Sequence, residues 1–115
     1  MPYIRVTSSV PVSEAAARVL IRRVTDLVAT LTDKDEEYVM VHVDQAAGGI
    51  GGQPGPAAFV DVRAIGGLND MLNARITAAL CTLIEETLQI PADAVYLNFS
   101  SVRSYNWGWN GRVFG

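Results

Sequence analysis

Apolar and polar residues alternate at the start of the chain. Ile4 and Val6 share one parity while Tyr3, Arg5 and Thr7 share the other, the period-2 pattern of a half-buried strand over Pro2 to Thr7. The period then lengthens. Ser13 can cap a helix and Glu14 suits its first turn. Behind them Val19, Leu20, Val24, Leu27, Val28 and Leu31 recur at helical spacing, predicting a helix to about Thr32. From Tyr38 to Val43 the chain alternates again, Val39, Val41 and Val43 against Tyr38, Met40 and His42. This second strand gives way at Asp44 to the glycine- and proline-rich loop Gly48 to Pro56.

The same order then repeats. Ala57 to Ile65 reads as a strand, Leu68 to Leu88 as a helix striped by Leu72, Ile76, Ala79, Leu80, Leu83 and Ile84, and Val95 to Ser100 as a further strand. Gly66 and Gly67 break the chain before the second helix, and Pro91 lies just beyond its end. A doubled β-α-β unit follows, in the α/β (α+β) class. Each crossover is right-handed and pairs its own two strands in parallel, within a four-stranded mixed sheet carrying both helices on one face. The other face is left bare, with Tyr3, Tyr96 and Phe99 or their alternates expected there rather than a charged surface. The tail adds Tyr105, Trp107, Trp109 and Phe114 within a short stretch. So much aromatic surface predicts contact between copies of the chain and the wall of a pocket.

The 115 residues, half of them hydrophobic and 18% charged, support one core, a single domain over residues 1–115. A net charge of -3 has the wrong sign for phosphate backbones or anionic lipid, so neither nucleic acid nor membrane is an expected partner. With one cysteine and one histidine, no internal disulfide and no Cys/His metal site can form. The N-terminus lacks the basic start and sustained apolar run of a signal peptide. A cytoplasmic protein is expected, with any export by an unconventional route.

Among residues that could carry chemistry, Pro2 stands first. Removal of Met1 would leave a secondary amine at the head of a strand. Such an amine titrates near 7.7–8.0 when unperturbed, and desolvation or a nearby cation lowers it towards neutrality, where it can act as a base. His42, between two valines, reads as a strand residue, and Cys81, on the second helix's apolar stripe, as a buried thiol. Tyr96 and Asn98, two apart in a strand, share one face. Lys34, between acidic neighbours, reads by itself as a solvated lysine at a helix end.

Met1-Pro2, Val10-Pro11, Tyr38–Val43, the Ala-Ile-Gly-Gly of Ala64 to Gly67, Val95–Phe99 and the Gly-Trp-Asn of Gly108 to Asn110 occur together in order. In that combination the chain resembles the macrophage migration inhibitory factor family of the tautomerase superfamily over nearly its whole length. The resemblance implies a homotrimeric barrel in which neighbouring copies cover the bare sheet face. It implies keto–enol tautomerisation of phenylpyruvate-like and dopachrome-like compounds, without a cofactor or metal. Pro2 would be the catalytic base, Lys34 would bind the substrate carboxylate and the Ile65 backbone would contact it. Tyr96 and Asn98 would enter from the adjacent subunit, with Tyr38, Trp107 and Trp109 at the mouth and wall. The Cys-x-x-Cys pair of mammalian members is matched by Ala57 and Val60, and a receptor-contacting arginine by Val12, so neither redox nor cytokine-like signalling is implied. Rival readings are a hydratase or dehalogenase of the same superfamily and a non-enzymatic binding protein. Last stands an RNA-binding module, which the acidic charge disfavours.

Overall fold

The computed structural model describes residues 1–115. Strand β1 (Pro2–Ser8) leads through an extended link to helix α1 (Glu14–Thr32), and the chain returns as β2 (Met40–Gln45). A short hairpin of β3 (Gly49–Ile50) and β4 (Gln53–Pro54) follows. The second half supplies β5 (Ala58–Ala64), α2 (Asp70–Leu88) and β6 (Val95–Ser101), and the tail ends in a hairpin of β7 (Gly108–Trp109) and β8 (Arg112–Val113).

The main sheet has the order β2-β1-β5-β6. Within each half the strands run parallel, and the halves join by an antiparallel pairing of β1 with β5, in which Pro2 lies opposite Ala64 and Tyr3 opposite Arg63. The doubled unit and the mixed sheet are as predicted. Both helices pack on one face, where Ile4, Val6, Val60 and Val62 meet Leu20, Val24 and Val28 from α1 and Ile76, Leu80, Leu83 and Ile84 from α2. All these side chains are essentially inaccessible, which makes their burial the main favourable term for folding. Neither helix is long and apolar enough to cross a membrane.

Local chemistry sets the element ends. The Ser13 hydroxyl accepts from the Ala16 N–H, and the Asn69 carbonyl oxygen accepts from the Leu72 N–H, so each helix begins on a side-chain cap. Asp33 closes α1 in the left-handed region at φ 54°, and the Lys34 N–H donates back to the Ala29 carbonyl. Tyr38, expected in the second strand, instead ends a 3-10 turn over Glu36–Tyr38. There the Asp35 carboxylate accepts from the Glu37 N–H at 3.1 Å, a local bond that competes with strand pairing. The Gly48–Pro56 stretch, expected as plain loop, contains the β3/β4 hairpin, turned by Gly51 and Gly52 at positive φ.

The bare face is more polar than its predicted aromatics suggest. Arg5 pairs with Asp44, which also accepts from Thr7. Arg63 pairs with Asp61, and the Tyr3 hydroxyl lies 3.0 Å from His42 Nδ1. Tyr96 stands on this face, exposed, but Phe99 has the opposite parity and packs against the core. The face tolerates charge because each charge has a partner on the same or an adjacent strand.

Candidate active site

Pro2 opens β1 on the helix side of the sheet, buried, where its missing N–H costs no internal ladder bond. A cavity of about 700 Å³ opens at this end of the sheet. Its lining includes Met1, Pro2 and Tyr3 from the N-terminus, Glu37 to Met40 from the turn and start of β2, Arg63 from β5, and Trp107 and Trp109 from the tail.

The tail reaches the cavity through three fixed contacts. The Val102 N–H donates to the Ala64 carbonyl at 2.8 Å, the Trp107 N–H donates to Ser104, and the Phe114 N–H donates back to the Trp107 carbonyl. Asn110 and Gly111, both at positive φ, make the tight turn between β7 and β8. Trp109 then stacks on Phe114, ring centroids 5.9 Å apart, and meets Tyr38 edge-on at 6.4 Å. The aromatic tail of the sequence is thus the cavity wall.

Lys34 is not on the cavity lining. Its Nζ donates to the Ile65 carbonyl at 3.3 Å, with its end in van der Waals range of the position a Gly67 side chain would take. Gly66 and Gly67 sit at φ 64° and 80°, a backbone that turns the chain out of β5 and presents that carbonyl. The charge is felt at the chain's start: burial first, and Lys34 second, push the terminal amine of Met1 below its ordinary value of 8.0.

Pro2, Tyr38, Trp107 and Trp109 therefore meet in one cavity, and Lys34 and Ile65 meet each other beside it without lining it. Tyr96 and Asn98 do not join them within one chain. They lie on the bare face of the edge strand β6, opposite Phe59 and Asp61, and Tyr96 borders a separate hollow with Thr7 and Phe59. Tyr3, Glu37, Met40, His42 and Arg63 line the cavity although the sequence singled none of them out for it. Four of the five share the bare-face parity, a signal readable only once the strand register is known. Cys81 is half-buried against the core, and burial with the nearby Glu85 pushes its thiol up, which suits packing rather than reactivity.

The family model for macrophage migration inhibitory factor matches residues 1–115. The chain is 32% identical to macrophage migration inhibitory factor of Meriones unguiculatus over 116 residues, covering 99% of both chains. Among solved structures it superposes with a TM-score of 0.93 on a homologue from Prochlorococcus marinus, 33% identical over 98% of this chain and 99% of that one. A macrophage migration inhibitory factor-like protein from Entamoeba histolytica gives 0.94 at 26% identity, covering 98% of each. A family match along the entire chain, carried on the same fold, makes this protein a member of the macrophage migration inhibitory factor family, within the tautomerase superfamily.

Proposed function

We propose that the protein is a keto–enol tautomerase acting on phenylpyruvate-like 2-oxo acids, with Pro2 as general base once Met1 has been removed. The reaction moves one proton from the carbon next to the ketone to the ketone oxygen. It needs no oxidant and no group transfer, only a base in reach of the carbon and a means of holding the acid. Pro2 nitrogen takes the proton from carbon and, as a secondary ammonium, returns it to the enolate oxygen. Lys34 holds the carboxylate, the Ile65 backbone contacts it, and Tyr38, Trp107 and Trp109 shelter the ring.

One observation carries this reading: a proline is buried at the head of a strand, in an aromatic-walled cavity, where burial and a lysine already depress the neighbouring amine. With Met1 gone, the new amine lies one residue deeper and is exposed to the same two effects. Tyr96 and Asn98 complete the site from an adjacent subunit of a homotrimer, whose contacts cover the bare sheet face. The hydratase reading gains no support from the cavity's one arginine, because the Arg63 guanidinium is already engaged by Asp61.

The test is Pro2→Gly, assayed by the ultraviolet change as enolic phenylpyruvate converts to the keto form, with intact-mass measurement of both proteins. A chain that retains Met1 has an amide in place of the base and loses about 10²–10⁴-fold in turnover. Pro2→Gly puts an unconstrained primary amine where the ring amine stood, and its turnover falls below that of the unsubstituted protein. Full turnover by the variant, or by a chain that retains Met1, overturns the proposal.

A further inference from the structure

Lys34 is flanked by four acidic residues, and the fold uses three of them structurally. Asp33 supplies the left-handed cap of α1, the Asp35 carboxylate caps the 3-10 turn, and Glu36 pairs with Arg22. Glu37 has no side-chain hydrogen bond or ion pair, is exposed, and lines the cavity beside Tyr38 and Trp109. The other ionic side chain on the lining, Arg63, is offset by Asp61 at 2.8 Å, and His42 is engaged by Tyr3. The charge on the lining is thus uneven: Glu37 is a carboxylate without a partner beside Tyr38 and Trp109, while positive charge comes from the chain's terminal amine and from Lys34, which lies off the lining but is felt by that amine.

We propose that Glu37 is a specificity-determining residue that favours 2-oxo acids whose aromatic group carries a positive charge at its far end. The inference rests on the tautomerase reading for the orientation of the substrate, carboxylate towards Lys34 and ring towards Tyr38 and Trp109. A distal cation then meets the Glu37 carboxylate and the face of Trp109 or Tyr38 together, each an attraction that a neutral group of the same shape cannot make.

Two isosteric probes isolate the charge: 4-(trimethylammonio)phenylpyruvate and 4-tert-butylphenylpyruvate. The substituents differ electronically, so the deciding quantity is the ratio of their kcat/KM values in Glu37→Gln relative to the unsubstituted protein, which cancels intrinsic reactivity. That ratio should fall by about twofold to fivefold, the scale of one exposed ion pair. Glu36→Gln removes the same charge off the cavity and should leave the ratio unchanged, and added salt should lower the ratio in the unsubstituted protein but not in Glu37→Gln. A ratio unaffected by Glu37→Gln, or lowered equally by Glu36→Gln, overturns the proposal. If the protein turns over phenylpyruvate but neither compound, the tautomerase reading stands and only this proposal is at stake; if it turns over none of the three, the tautomerase reading fails separately. Dissociation constants from quenching of tryptophan fluorescence then supply the same double ratio, and failure of both compounds to bind overturns this proposal as well.

Discussion

Gly67 joins the backbone of the fold to the position of Lys34, and its replacement tests both. At φ 80° an L-residue suffers a clash between its Cβ and the backbone that costs about 1–2 kcal/mol. Space is not the obstacle: a Cβ at this position would lie 3.6 Å from Lys34 Cε and 3.8 Å from Nζ, both ordinary contacts. Alanine also stiffens the unfolded chain, which returns about 0.4–1 kcal/mol of stability at any glycine. Gly55→Ala supplies the reference, since Gly55 is not at positive φ and a Cβ there would meet nothing within 4 Å. Subtracting one variant from the other removes the unfolded-state effect and leaves the strain. Gly67→Ala should therefore be less stable than Gly55→Ala by about 1–2 kcal/mol, or roughly 3–10 °C in Tm for a chain of this size. Urea unfolding followed by circular dichroism, at one fixed protomer concentration, measures the difference. Lys34 should keep its place, so turnover per folded molecule should survive in Gly67→Ala. Equal stability of the two variants would refute the left-handed turn after β5 and, with it, the route by which Ile65 and Lys34 meet.

The terminal amine of the chain that keeps Met1 offers a second test. Its folded-state value lies below the unfolded 8.0, so the unfolded chain binds more protons between the two, and stability present above 8.0 is lost as pH falls through that window. Lys34→Met removes the smaller of its two causes. Nuclear magnetic resonance titration of the amine should show its pKa rising towards 8.0 without reaching it, because burial remains; no change would exclude Lys34 as a cause. In the core, Leu80→Ala should cost about 2–5 kcal/mol and Leu80→Met less than about 1.5 kcal/mol in urea unfolding, since Leu80 is wholly inaccessible. Cys81, half-buried and with its thiol pushed up, should react with a disulfide reagent at neutral pH far more slowly than in denaturant; equal rates would contradict its packing against the core.

The order of strands and helices was legible in the chain itself, because each element announces itself through side chains only two to four positions apart. Ile4 with Val6, and Leu80 with Leu83 and Ile84, become buried partners in whatever fold uses those periods. The aromatic tail was equally visible as surface that water disfavours. Where that tail would go was not. Trp109 finds Tyr38 and Phe114 only because an Asn-Gly turn folds it back and Val102 ties the tail to the end of β5. Tyr38 left the predicted strand for a turn because the carboxylate of Asp35 satisfied a backbone N–H locally. The face that Arg5, Asp44, Asp61 and Arg63 occupy, and the partners that let it carry charge, depended on a strand register joining residues such as Tyr3 and His42, 39 positions apart. Local spacing determines which elements form, since near neighbours alone decide whether an apolar stripe exists. The meeting of Pro2 with its wall, and the lack of an ion pair at Glu37, belong to the tertiary structure, because they depend on which distant strands and turns the packed core holds together.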